Sequence, residues 1–115
     1  MDKMTKIDII TRPAMLDELK DAMNEIGITG MTVSHVLGCG MQKGRTHMYR
    51  GVPYEINLLP KIKFEIVVCE VPVETVVKKA KEILHTGEIG DGKIFIYSVE
   101  NVIKVRTGEE GVKAL

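Results

Sequence analysis

A pattern of strand, helix and strand is written twice along these 115 residues, and it limits the chain to few folds. In the first copy, Lys6 to Ile10 is a short β-branched run. Met15, Leu16, Leu19, Ala22, Met23 and Ile26 then recur at the spacing that lines one side of a helix. Pro13 suits that helix's first turn, where a missing N–H is harmless, and Gly27 suits the left-handed residue past its end. From Gly30 to Leu37, apolar Met31 and Val33 alternate with Thr32 and Ser34, the signature of a half-buried strand. The second copy opens with Ile62, Phe64, Ile66 and Val68 alternating with Lys61, Lys63 and Glu65. Past Pro72, residues Val73, Val76, Val77, Ala80, Ile83 and Leu84 form one stripe, while Lys78, Lys79, Lys81 and Glu82 face water. Lys93 to Ser98 closes the unit, and Val102 to Arg106 is expected to add a short further strand. Two such units in one small chain predict an α+β fold of the ferredoxin-like, double βαβ type, an antiparallel sheet with both helices on one face. The opposite face would stay exposed, and oligomerisation is the simplest remedy.

Composition narrows the function class. A chain of 115 residues is expected to form one domain, residues 1–115. Its 16 basic and 16 acidic side chains cancel, so no global field steers it to nucleic acid or to a membrane surface. No apolar run approaches the roughly 20 residues that span a bilayer, and the polar start Met1-Asp2-Lys3-Met4 does not open a signal peptide. Cys39 and Cys69 are too few and too far apart for a zinc site or a disulfide framework. His35, His47 and His85 share no metal-ligand spacing and read as non-catalytic. A cytoplasmic location is the expectation.

Two segments carry the chemistry. Gly87 to Lys93 spells G-x-x-x-x-G-K, the opening of a P-loop, where backbone N–H groups cradle phosphates and a lysine adds charge. The match then breaks, because Ile94 stands where a P-loop carries Ser or Thr and the motif runs into a strand instead of a helix. An anion-binding turn remains. The other segment is the stretch between Leu37 and Lys61, read as a long loop insertion at about 38–60. Hairpin connections are normally about 2–5 residues, and structureless loops beyond roughly 12–15 are usually functional or disordered. This one carries Gln42, Lys43, Arg45, His47, Tyr49, Arg50 and Tyr54, and Tyr and Arg are favoured at interface hot spots, so it reads as a partner-binding arm.

Taken in order, Gly30-Met31-Thr32-Val33, Gln42-Lys43-Gly44, Tyr49-Arg50-Gly51, Tyr54, Leu59-Pro60-Lys61, Thr86-Gly87-x-Ile89-Gly90-Asp91-Gly92-Lys93-Ile94-Phe95 and Arg106-Thr107-Gly108-Glu109-Glu110 resemble the PII nitrogen-regulatory signal-transduction family over nearly the whole chain. The resemblance implies a compact homotrimer with nucleotide sites in the clefts between subunits. It implies a sensor of ATP, ADP and 2-oxoglutarate that docks its long loop on targets such as an ammonium transporter or glutamine synthetase. A membrane would then be met only through a transporter partner.

Carried over residue by residue, the resemblance places backbone at Ile10 and Gly38, with Thr32 and Glu65, near the adenine and ribose. Gly87, Gly90, Asp91, Gly92 and Lys93 would meet the phosphates, with Lys104 and Arg106 reaching in from the neighbouring subunit. Most relatives carry Arg where this chain has Lys104, which loses the planar fork. Gln42 would complete an octahedral Mg²⁺ shell with the ATP phosphates and the 2-oxo acid, since Mg²⁺ prefers hard oxygen ligands. Lys61 would pair with the distal carboxylate of 2-oxoglutarate, and N–H groups around Gly40, Lys43 and Gly44 would hold the near one. Arg50, beside Tyr49, matches the loop-tip arginine that relatives insert into transporter pores. Tyr54 matches a tyrosine that some bacterial relatives carry as a nucleotidylation site, while Cys39 and Met41 depart from the usual loop.

Two rivals stand beside the sensor. A small ATP-hydrolysing or phosphotransfer enzyme would use the Gly87–Lys93 motif, but lacks a magnesium-binding hydroxyl and a water-positioning base. A plain ferredoxin-like binding module would explain the fold, but not the long insertion or the basic pair Lys104 and Arg106. The expectation is a regulator without catalytic residues.

Overall fold

The computed structural model describes the backbone of residues 3–49 and 52–115, and side chains outside 40–57. Strand β1 (Met4–Thr11) leads through a single 3₁₀ turn (Pro13–Met15) into helix α1 (Leu16–Glu25). Strands β2 (Thr32–Tyr49) and β3 (Val52–Val68) follow, then helix α2 (Val73–Leu84), strand β4 (Lys93–Val99) and a terminal 3₁₀ turn (Gly111–Ala114). The four strands form one sheet in the order β2-β3-β1-β4, antiparallel at every junction. That is the split βαβ arrangement expected from the sequence.

Alternation decides which side chains are buried. Along β1 and β3 the residues Ile7, Ile9, Ile62, Phe64 and Ile66 point one way and are almost wholly buried. They meet Leu19, Ala22 and Met23 of α1 and Val76, Ala80 and Leu84 of α2 in a single core cluster. Those six helical positions repeat at three and four residues, so each helix lays one apolar stripe on the sheet. Each buried side chain of this size contributes about 1.5–3 kcal/mol. Gly27 ends α1 with φ +93°, the left-handed conformation expected of it, and the Ile28 N–H reaches back to the Met23 carbonyl at 3.0 Å. Pro13 occupies the 3₁₀ turn just before α1 instead of the helix's own first turn.

The segment between Leu37 and Lys61 corrects the reading of a structureless connection. Its backbone continues β2 and β3 as an antiparallel ribbon, paired from Thr32↔Glu65 out to Tyr49↔Val52 with a register shift between Gln42 and His47. The insertion is therefore the outer part of two strands that run 18 and 17 residues in all. Gly38, Gly40 and Gly44 interrupt the apolar alternation that marks a strand, and Pro53 and Pro60 argue against one. Yet β1 pairs only with residues 62–68 of β3. The outer part has a neighbour on one side alone, where a missing N–H is tolerated.

Val102 to Arg106 is also corrected. The only pairing there is an isolated bridge, Ile103↔Glu110, closing a small hairpin whose Gly108 N–H donates to the Lys104 carbonyl at 2.7 Å. Among the described residues no helix is long and apolar enough to cross a membrane.

Candidate functional site

The face of the sheet away from the helices carries the polar half of each strand's alternation. In register across it run Ser34, Lys63, Ile10 and Lys93 as one row, and Thr32, Glu65, Asp8 and Phe95 as the next. Strand pairing thus sets Lys93 beside Ile10 and Thr32 beside Glu65, four of the residues expected to hold a nucleotide. Thr32, Glu65 and Lys6 also line a hollow of about 590 Å³ with Gly30 and Val67, a size that suits a small ligand. A smaller hollow on the helix side, between α2 and β4, includes Asp91 and Lys93 but neither Thr32 nor Glu65.

Glu65 is not a free carboxylate. Lys63 lies 3.2 Å from it and Lys6 3.4 Å, and the same lysines flank the buried Asp8 at 3.8 and 3.5 Å. The hydrogen bond from Lys63, then that from Lys6, holds the Glu65 carboxyl below its ordinary range. Tyr97 stacks under Lys6, with the ammonium 5.5 Å from the ring centre.

The glycine-rich loop joins α2 to β4 and folds onto the end of β1. Gly87, Gly90 and Gly92 all adopt positive φ, at 86°, 108° and 107°. Gly92 is forced twice, since a Cβ there would lie 1.9 Å from the Ile10 carbonyl oxygen. The Thr11 hydroxyl donates to the Asp91 carbonyl at 2.9 Å. The Asp91 carboxylate accepts from the N–H groups of Thr86 and Gly87 at 2.7 and 2.9 Å, from the Thr86 hydroxyl, and from the Arg12 guanidinium at 2.6 Å. These bonds, the Thr86 hydroxyl's foremost, hold the Asp91 carboxyl down at about 2. Lys61 reaches across from β3 to the Gly90 carbonyl at 3.4 Å, passing Gly38, where a Cβ would stand 3.1 Å from the lysine stem. Ile10, Gly38, Lys61, Gly90, Asp91, Gly92 and Lys93 therefore gather at one end of the sheet.

Lys104 and Arg106 do not join them within one chain. Lys104 pairs with Glu109 at 3.9 Å inside its own hairpin, and the hairpin's base follows Val99, at the end of β4 opposite Lys93. Beyond it, Val112 and Leu115 line the hollow together with Val68 and Cys69, again at the far end of the sheet. Roughly 20 Å of strand lies between Lys93 and that base. Gly40, Gln42, Lys43, Gly44, Tyr49 and Tyr54 have side chains outside the described residues, and Arg50 lies outside them altogether. Sequence reading missed Thr11, Arg12 and Thr86. The available signal was an aspartate in a glycine-rich turn, a residue that characteristically accepts hydrogen bonds from nearby backbone.

Lys93 opens β4 and no helix follows the glycine-rich loop, so the P-loop enzyme reading loses its structural context. The family profile described as Nitrogen regulatory protein P-II matches residues 4–109. The chain belongs to that family. It is 51% identical over 113 residues to the nitrogen regulatory PII-like protein of Bacillus subtilis, covering 98% of this chain and 97% of that one. It is also 51% identical to nitrogen regulatory protein P-II 1 of Escherichia coli K12, covering 97% and 100%. A structure of B. subtilis GlnK in complex with ATP superposes with a TM-score of 0.87 at 51% identity, covering 98% of both chains. Arabidopsis thaliana PII bound to citrate gives 0.78 at 41%, covering 99% and 94%. These relatives are named as regulators, and the chain is a P-II nitrogen-regulatory signalling protein, not an enzyme.

Proposed function

We propose that this P-II protein senses ATP, ADP and 2-oxoglutarate in the cytoplasm, and reports them by docking its β2–β3 ribbon on a nitrogen-metabolism target such as an ammonium transporter or glutamine synthetase. The observation that carries this reading is the glycine-rich loop seated against Ile10, with Lys93, Lys61 and Gly38 at its side. The loop offers backbone close to a polyphosphate, and two ammonium groups next to it offset the charge. The ATP complex of B. subtilis GlnK supports the nucleotide, and the citrate complex of Arabidopsis PII supports a small carboxylate effector.

The basic pair Lys104 and Arg106 stands at the other end of the sheet, so a second copy in a homotrimer supplies it to each site. Thr32 and Glu65 take the adenine and ribose. Among the described residues no group of three His, Cys, Asp or Glu could hold a metal. The Gln42 amide oxygen would hold Mg²⁺ together with phosphate oxygens and the 2-oxo acid, and the ion would supply charge neutralisation there, since Mg²⁺ prefers hard oxygen ligands. Lys61 takes the distal carboxylate, and backbone at Gly40, Lys43 and Gly44 the near one. Mg-ATP with 2-oxoglutarate then stabilises one ribbon conformation and ADP permits another, a population shift read by the partner through Tyr49 and Arg50. Tyr54 is the candidate for covalent modification.

Titration calorimetry of 2-oxoglutarate tests this, with Mg-ATP, with Mg-ADP and without nucleotide. Binding that needs Mg-ATP and disappears in Gln42→Ala is expected. Nucleotide binding with no 2-oxoglutarate response under any condition removes the roles of Gln42 and Lys61.

A further inference from the structure

A carboxylate is an unexpected neighbour for a polyphosphate. Asp91 sits between Gly90 and Gly92, in the loop proposed to face the phosphates, and a negative charge there repels them. Its hydrogen bonds explain its presence. Oδ2 accepts from the N–H groups of Thr86 and Gly87, and Oδ1 accepts from the Thr86 hydroxyl and from Arg12. One carboxylate thus gathers both ends of the loop and ties them to the chain just past β1. Arg12 is itself held by the Leu84 carbonyl, at 3.4 Å, where α2 ends. Thr11 and Ile10 grip the same loop by its backbone. His85 also lies nearby, its Nδ1 3.8 Å from Oδ2, and the Lys61 ammonium stands 3.4 Å from the adjoining Gly90 carbonyl.

We propose that Asp91 and Arg12 act together as a latch that holds the glycine-rich loop in its phosphate-binding shape, both as positioning residues and neither as a ligand of the nucleotide. The proposal rests on the nucleotide reading and deepens it. An unlatched loop has to be ordered when ligand arrives, and that ordering subtracts from affinity. The latch opposes the simple charge argument. If Asp91 acted only through its field, Asp91→Asn would tighten ATP binding. As a latch, the same change weakens it, because the amide loses the bond to the Thr86 hydroxyl or to one of the N–H donors, and the charge that holds Arg12.

Mg-ATP titrations into the full-length protein decide the matter, using Asp91→Asn, Arg12→Leu, the double variant and Arg12→Lys. Each of the first two should weaken binding by roughly tenfold or more, the scale of one charge-assisted hydrogen bond. The double variant should be no worse than the weaker single, since residues acting as a unit are non-additive, and Arg12→Lys should recover part of the loss. In the nucleotide-free protein, hydrogen exchange at the Thr86 and Gly87 amides should accelerate in both singles. Unchanged or tighter binding by Asp91→Asn overturns the latch, as do additive losses with unaltered exchange, which mark direct ligand contacts. Thr86→Val removes one hydroxyl from an exposed residue and keeps the test usable should an Asp91 variant fold poorly. It should weaken ATP binding without moving the thermal unfolding midpoint, and unchanged binding counts against the latch. A wild-type chain that binds no ATP sinks the nucleotide reading and the latch with it. Wild-type binding with unaffected variants sinks the latch alone.

Discussion

The two faces of the sheet are built from the same strands and follow opposite rules. Under the helices, Ile7, Ile9, Ile62, Phe64 and Ile66 are shut away from water and hold the fold together by shape and area. On the other side, Lys6, Asp8, Lys63 and Glu65 form a charged quartet with Tyr97 and Phe95 exposed beside it. One residue's displacement along a strand moves a side chain from one regime to the other. Stability therefore resides mainly in the odd positions of β1 and the even positions of β3, and the ion pairs in those between.

The sharpest way to break this division is Phe64→Ala on the packed face, which should cost about 3–5 kcal/mol in denaturant unfolding. A loss below about 1 kcal/mol would mean that the core does not depend on that face. Gly92→Ala acts where the faces meet, with a new Cβ against the Ile10 carbonyl at a position of positive φ. It should destabilise by about 1–3 kcal/mol and abolish measurable ATP binding; full retention of both would show that the loop seat is not needed. Lys63→Ala on the open face should cost only about 0–1 kcal/mol, yet raise the Glu65 carboxyl pKa in an NMR titration, because its largest depressing partner is gone. The smallest expected effect is the pH response of the Asp91 carboxyl. Its folded value of about 2 lies below the ordinary 3.8, so its contribution is complete above that ordinary value and fades as pH falls through the folded one. Thr86 and Gly87 amide shifts should turn over near pH 2, and a midpoint near 3.8 would mean that these donors do not hold the carboxylate in solution.

Much of the packed face was legible before any coordinates. The alternation from Ile62 to Val68 and the stripes through Leu19, Ala22 and Met23 and through Val76, Ala80 and Leu84 are periodic signals that burial enforces. The outer ribbon was not, because glycine has no side chain to mark a face and two prolines contradict a strand unless its edge is known to be free. The grip of Arg12 on Asp91 was equally hidden, since it spans 79 positions and follows from topology alone. What the sequence did display was the residue types at the loop, without showing that one of them is engaged with the loop itself.

The separation of Lys93 from Lys104 and Arg106 by the length of β4 has a genetic consequence in the proposed trimer. Chains damaged at opposite ends should complement each other. Co-refolded Lys93→Ala and Arg106→Ala chains would form mixed assemblies in which some clefts draw both intact halves from different subunits. Such mixtures should recover ATP binding that neither parent shows, in proportion to the fraction of clefts so paired.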